Sequence, residues 1–482
     1  MSVVIRFIFS LFLGVMVSVM ILLRRKNEES CEINGRRYQP FMWGAFLPLM
    51  MLVMPVMYLF LDGFRKAAHW TVSVAFGMLV HISVYFLILL IAMPFLRRFI
   101  SSRVCAMLWI IPNCLYLTQY GAMEVSEPKL VVRTSKEILI FAAVIWITGF
   151  VCVLALKIAE HCRYRRRILE DATEITDQRI VKIWESQLYH TYEKEPPYKL
   201  VASPNVTSPL SVGFFRRSIR VVLPQREYSD EELSMILRHE IVHLSREDSL
   251  NKFFLIFCAA LCWFNPLVWT AVKKSSEDIE LSCDETVLLE ANENEKYKYA
   301  DILLKNADSS KGFTTCLSAS ARSLRYRLRS VIGSRKKCIG AIIAGVVCAA
   351  LVMSYGYIAV AYGDTTGREI IYRSEDIDAY HTHYIKPANG GYYDVDQMAL
   401  NEYLSGLEMM SVCGSYSFDD WEPRYVMSMG SANESFRLLF FENYVSIEPR
   451  KDVRGGVYYL PQGADWDYID SRMNDTPPWL QN

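Results

Sequence analysis

The sequence predicts a multi-pass α-helical membrane protein with a cytoplasmic α+β domain and a small β-rich extracellular C-terminal domain. Three observations carry this expectation. Hydrophobic residues make up 52% of the 482 and charged residues only 22%, with a mean hydropathy of +0.14, which argues against an ordinary soluble or a disordered chain. Several apolar stretches approach the roughly 20 residues needed to cross a bilayer. Charge is also partitioned: residues 364–482 hold 20 acidic and 9 basic residues, a net of −11, which leaves the rest of a formally neutral chain at +11. An apolar, basic body with an acidic tail fits contact with lipid and no direct contact with nucleic acid.

Six segments are expected to span the membrane: Val3–Leu23, Phe41–Leu61, Thr71–Leu96, Val104–Gln119, Ile138–Leu156 and Cys338–Tyr362. The fourth is short and interrupted by Pro112 and Asn113. Basic clusters orient the set, because such clusters stay on the cytoplasmic side. Arg24-Arg25-Lys26, Arg97-Arg98 with Arg103, Arg163 with Arg165–Arg167, and Arg335-Lys336-Lys337 all satisfy that rule if both termini lie outside. Dropping the fourth segment would break this parity. The first segment reads as an uncleaved anchor, since its basic cluster follows the apolar run and no A-x-A-like site is present. The chain thus divides into an N-terminal transmembrane region (1–156, about five spans), a cytoplasmic domain (157–337), a last transmembrane helix (338–362) and an extracellular, sensor-like domain (363–482). The protein is placed in the cell membrane. Its twelve cysteines fall mostly in spans or on the cytoplasmic side, and only Cys413 lies in the external tail, so no disulfide scaffold is expected.

Within the cytoplasmic segment, 163–195 reads as a charged helical stretch ending at Pro196-Pro197. Strands are expected at Lys199–Ala202, Ser208–Gly213 and Ile219–Leu223. A helix then begins at a capping box, Ser229 with Glu232, followed by apolar Leu233, Ile236, Leu237, Ile241 and Leu244.

That helix carries His239-Glu240-Ile241-Val242-His243. The two histidines stand one helical turn apart on one face, so both imidazoles can bind one ion. Glu240 lies beside that face, where it can take a proton from water. Two imidazoles and one carboxylate suit Zn2+ with a fourth position left open. The third ligand is expected from the acidic helix that follows Phe253–Trp269. Glu280 is assigned, with Glu277 as its rival one turn earlier and Asp284 as an acceptor that orients a histidine. The apolar run Phe253–Trp269 cannot cross the membrane, or Glu280 would lie opposite His239. A helix near 253–269 that dips into the bilayer or packs against the spans and returns is therefore expected.

These residues together resemble the BlaR/MecR family of membrane metallopeptidases, the signal-transducing antirepressors. The matching signatures are Arg238 through His243 with Arg246 and Asp248, Asn265-Pro266, and Glu280-x-x-Cys283-Asp284; Ser208-Pro209 through Gly213 to Leu223-Pro224 is similar to the strands before the motif. The resemblance covers roughly 71–362. It implies a zincin-like, gluzincin-type endopeptidase with His239, His243 and Glu280 as zinc ligands and Glu240 as general base. It also implies relay of an extracellular stimulus by cleavage of the chain itself, of a cytoplasmic repressor, or of both, and a homodimer. The external domain departs from the family's β-lactam sensors. Residues 363–482 contain no Ser-x-x-Lys and are too few for a penicillin-binding fold, so β-lactam sensing is not expected.

The external domain reads as β-rich, with strands at Arg424–Met429, Phe436–Phe441, Tyr444–Ile447 and Gly456–Leu460. Trp421 and Trp466 read as core more than as groove, His381 and His383 as solvated more than as ligands, and Asn433-Glu434-Ser435 fits a sequon. The net charge suits a cationic peptide or cell-wall partner, though the extracellular ligand is unknown. The basic run Arg322, Arg325, Arg327, Arg329 and Arg335–Lys337 reads as a membrane anchor or as a linker cut during self-cleavage. The leading function is a membrane zinc endopeptidase in signal transduction. The alternatives are a constitutive quality-control protease and a catalytically idle receptor or scaffold; transport has little support, because no expected span has a charged residue at its centre.

Overall fold

The structure is a computed structural model that describes residues 3–29, 44–119, 128–191, 198–214, 216–289, 291–305, 315–316, 321–332, 340–373, 376–387, 394–413, 423–431, 435–448 and 456–474. The chain opens with α1 (Val3–Glu29), α2 (Phe46–Asp62) and α3 (Phe64–Phe99). Gly63, with φ +83°, turns α2 into α3, a backbone conformation that a Cβ disfavours. Among the described residues, three helices are long and apolar enough to cross a membrane: Val4–Leu23 in α1, Trp70–Phe99 in α3, and α5 (Lys136–Leu169). Phe46–Leu61 and Ala341–Ser354 are apolar but shorter.

The expected fourth span is not a single helix. α4 (Ser102–Leu108) stops, and the chain continues as a 3-10 helix over Ile111–Gln119. Pro112 lacks the N–H that would continue α4, and the Asn113 side chain accepts the Leu47 N–H at 3.0 Å. Residues 104–115 are buried, so this segment fills the centre of the bundle. The stretch expected as one charged helix is divided as well. α5 runs on to Leu169, β2 (Thr173–Glu174) follows, and α6 (Gln178–Thr191) comes next.

A five-stranded sheet supports the histidine helix. Besides β2 it contains β3 (Lys199–Ser203), β4 (Leu210–Val212), β5 (Arg220–Pro224) and β6 (Thr315–Cys316), in the order β2-β3-β5-β4-β6. Within this sheet, among the described residues, β3 and β5 pair in parallel and the other neighbours are antiparallel. The helices that follow β5 are α7 (Asp230–Ser245), α8 (Asp248–Leu261), α9 (Pro266–Val287), α10 (Glu293–Lys305) and α11 (Ala321–Ile332). The run Phe253–Trp269 is a hairpin made from the end of α8, a turn and the start of α9. It packs against the membrane helices, with residues 254–262 buried. Asn265 caps α9 by accepting the Leu267 N–H, and its amide donates to Ser83 Oγ on α3 at 3.0 Å. Trp146 of α5 donates to Leu261 O at 2.8 Å.

The last apolar helix is shorter than the expected 338–362. α12 (Ala341–Ser354) ends early, and β7 (Ile358–Thr366) starts within the stretch read as membrane-spanning. The reason lies in a partner distant in sequence. β1 (Leu130–Thr134) pairs in parallel with β7, Val132 opposite Val360, so ladder bonds satisfy the backbone that a longer helix would have satisfied itself. The remaining strands are β8 (His381–Pro387), β9 (Asp394–Val395), β10 (Glu408–Cys413), β11 (Tyr425–Gly430), β12 (Ser435–Phe440), β13 (Tyr444–Glu448), β14 (Gly456–Tyr459) and β15 (Met473–Asn474). Eight strands form one sheet, β1-β7-β10-β14-β13-β12-β11-β8, while β9 and β15 pair separately. Trp466 stacks on Tyr425 beside a core that includes Leu400, Leu404, Phe440 and Ile469. His381 and His383 are exposed on β8. Trp421, Asn433 and Arg335–Lys337 lie outside the described residues.

Candidate metal centre

α7 starts where the sequence places it. Ser229 Oγ accepts the Glu232 N–H at 3.2 Å, and three acids in the first turn complement the positive end of the helix dipole. Leu233, Ile236, Leu237, Ile241 and Leu244 then bury one face against Leu200, Val221 and Leu223 of the sheet. This fixes the rotation of α7, with His239 and His243 to one side of the apolar face, and His239, Glu240 and His243 are all buried.

The imidazole Nε2 atoms of His239 and His243 stand 3.1 Å apart. Glu280 on α9 brings its Oε2 to 3.6 Å from the first and 3.7 Å from the second. A tetrahedral ion with bonds of about 2.0–2.1 Å needs donor atoms roughly 3.3–3.4 Å apart, so these three atoms fit zinc. The hydrogen bonds behind the rings point the same way. His243 Nδ1 donates to Asp248 Oδ2 at 2.7 Å, and His239 Nδ1 donates to the Tyr299 hydroxyl at 2.8 Å. With both Nδ1 atoms donating, each Nε2 turns a lone pair toward the other, an arrangement that a cation between them stabilises. Glu280 Oε2 is buried and accepts no hydrogen bond among the described residues.

The local electrostatics favour positive charge. Burial opposes a charged imidazole, yet Cys283 and Glu280 outweigh it and hold His239 up at about 9. His243 is raised in the same way against burial, by Cys283, Glu280 and Asp248. Burial would raise the Glu280 carboxyl, but His243 and Lys252 hold it well below its ordinary value. Lys252 Nζ on α8 stands 3.3 Å from Glu280 Oε1.

Cys283 also lies near both histidines, the nearest donor-type atoms of the three falling within 4.8 Å of one another. Its sulfur is 3.4 Å from His239 Nδ1, the nitrogen that already bonds Tyr299, and it donates to His239 O. Glu280 Oε2 is therefore the acidic oxygen that faces both Nε2 atoms, while Cys283 lies on the Nδ1 side of His239. Glu277, the rival, pairs with Lys274 at 2.7 Å on the helix surface.

Asp284 does not meet a histidine directly. Its Oδ1 is 3.6 Å from His239 Nδ1, and the Tyr299 hydroxyl links the two, donating to Asp284 Oδ1 at 2.7 Å. The direct acceptor is Asp248, and a backbone turn places it. Glu247 adopts φ +54°, which folds α8 sharply back on α7. Glu240 is held from the sheet: Ser211 Oγ on β4 donates to its Oε2 at 2.6 Å. Sequence reasoning missed Ser211, Lys252, Tyr299 and Arg327. Arg327, expected in a basic membrane anchor, is wholly buried and forks onto Asp284 at 2.7 and 2.6 Å. Nothing in local spacing marks it, because its partner stands 43 residues away.

The BlaR1 peptidase M56 family profile matches residues 118–331. Regulatory protein BlaR1 of Bacillus licheniformis is 32% identical over 144 residues, 29% of this chain and 24% of that protein. Regulatory protein BlaR1 of Staphylococcus aureus is 24% identical over 166 residues, 34% of this chain and 28% of that protein. The matches thus span about a quarter of the relatives' own length. The profile match takes in α7 and α9, the two helices that carry His239, His243 and Glu280, and over this region the chain is similar to the peptidase M56 family.

Proposed function

We propose that this protein is a membrane-embedded zinc endopeptidase that relays an extracellular signal by cleaving itself, a cytoplasmic repressor-like protein, or both. One observation carries the proposal: three donor atoms converge at zinc spacing while Glu240, the residue after the first histidine, is held by Ser211 on a neighbouring strand. Zinc held by His239, His243 and Glu280 would act as a Lewis acid toward the scissile carbonyl and acidify water at the site. Glu240 takes the proton from that water and passes it to the departing amine. Ser211 keeps the carboxylate in one rotamer, and burial of the site limits competing solvent. Asp248 and Tyr299 hold the imidazole tautomers that leave Nε2 free to bind metal.

β4 supplies the place for an extended substrate. β6 pairs antiparallel with β4, Thr315 opposite Ser211, so a stretch of this chain lies alongside the strand that supports Glu240. That pairing favours self-cleavage near residues 306–320. The basic ends of the apolar segments support a cytoplasmic position for this domain and an outer one for the eight-stranded domain. A scaffold with a purely structural metal fits less well, since such sites usually have four protein ligands.

The test compares fragment formation in membranes bearing the parent or Glu240→Ala, with a candidate repressor supplied. Fragments are expected from the parent alone, with zinc retained in both, and a chelator should abolish them. Equal behaviour with zinc bound in both would sink the protease assignment.

A further inference from the structure

A second buried cation beside Glu280, besides Lys252, comes from a helix that the sequence marks only as basic. We propose that Arg327 is a positioning residue for the metal donors, acting on two of the three at once; this rests on the zinc assignment above. Its guanidinium is wholly inaccessible, a costly location unless the charge is fully paired. Nε and Nη2 take the two oxygens of Asp284, and Nη1 stands 3.5 Å from Glu280 Oε2, the ligand oxygen itself. Glu280 and Asp284 are four residues apart on α9, so one planar fork sets the placement of both carboxylates on that helix face.

From Asp284 the contacts run to the Tyr299 hydroxyl and on to His239 Nδ1, at 2.7 and 2.8 Å. Arg327 therefore stands behind His239 through two hydrogen bonds and beside Glu280 directly. Two of its nitrogens neutralise the Asp284 carboxylate while the third stays beside the Glu280 oxygen that faces both histidines. α11 is seated for this role. Val331 is buried, with Leu324 and Leu328 beside it, in a cluster with Val242, Cys283, Val287 and Tyr299, and the Tyr326 ring lies 5.5 Å from the Arg97 guanidinium at the end of α3. Arg325 and Arg329 on the same helix stay exposed, so Arg327 alone of these three turns inward.

The experiment is Co2+ titration of the full chain in detergent micelles, read by visible d–d absorption and by competition with Zn2+, for the parent, Arg327→Gln, Arg327→Lys and His239→Ala. Arg327→Gln is expected to weaken Co2+ binding about 10–100-fold and to shift the bands, because the carboxylates lose their fork. Arg327→Lys should lie between it and the parent, since it restores charge without planarity. A merely structural residue would lower thermal stability and leave the spectrum per bound ion unchanged. Parent-like affinity and bands in Arg327→Gln would overturn the proposal while the zinc assignment stood. If Arg327→Gln does not fold, Arg327→Lys decides in the same way, a weakened site supporting the proposal and an unchanged one overturning it. A folded parent that takes up no more Co2+ than His239→Ala would remove both the zinc assignment and the role of Arg327.

Discussion

His239 gives its Nδ1 proton to a tyrosine, and His243 gives its own to an aspartate, so the two rings are tuned differently. Tyr299→Phe removes the oxygen that His239 needs and strips a donor from Asp284; metal affinity is expected to fall about 10–100-fold, measured by zinc competition. Asp248→Asn should have an effect of the same order through His243. Ser211→Ala removes a bond to a charged carboxylate, worth about 1.5–3 kcal/mol. Peptide cleavage should therefore slow by one to two orders of magnitude while zinc content holds, and unchanged turnover would show that Glu240 needs no support from β4. At this scale the sequence exposes His239, Glu240 and His243, because helical spacing alone puts them together. Tyr299 and Arg327 stay hidden, since their partners come from other helices.

Elements pack where small residues permit. α1 crosses α12 at Gly14 and Gly345, and a Cβ on Gly345 would stand 2.0 Å from Ser18 Oγ and 2.3 Å from Gly14 O. Such close approach is how apolar helices gain contact without a hydrophobic drive between them. Gly345→Leu should force the pair apart at about 1–3 kcal/mol, seen as a lower thermal midpoint in detergent. The α8–α9 hairpin uses the same device, with Gly149 of α5 facing Trp263. The capping box and the Asn265-Pro266 start were readable as local chemistry. The break between α4 and the 3-10 helix was announced by Pro112, yet its burial at the centre of the bundle depends on neighbours far along the chain.

Across the molecule, charged pairs join the membrane helices to the metal helix. Asp278 on α9 takes the Arg97 guanidinium and the Trp109 indole N–H, at 2.8 and 2.7 Å. Two helical turns along α9 from Asp278, Glu285 accepts the Ser102 N–H at 2.7 Å, and Arg103 pairs with it at 3.3 Å. Removing one member of the buried pair, as in Arg97→Gln, is expected to cost about 3–5 kcal/mol, and Arg97→Gln with Asp278→Asn should recover part of it. A thermal double-mutant cycle measures this, and additive losses would show that the two groups do not depend on each other. At the other end of the bundle, Arg6 donates to Val352, Met353 and Tyr355 carbonyls, and His81 contacts the Ser354 carbonyl at 3.0 Å. The end of α12 is thus held by α1 and α3 before the chain enters β7.

Composition, apolar length and the one-turn histidine spacing already determine a membrane protein with a metal-type helix, because each is a local property. So do the strands around Leu200, Val221, Leu438 and Val445, whose side chains bury in the two domain cores. Only the tertiary structure decides which acid meets the histidines, that Tyr299 stands between His239 and Asp284, and that Arg327 is buried at the site. It alone decides that β1 joins β7, which ends α12 at Ser354. These are contacts between residues tens to hundreds of positions apart, set by how helices and sheets pack, and no spacing along the chain encodes them.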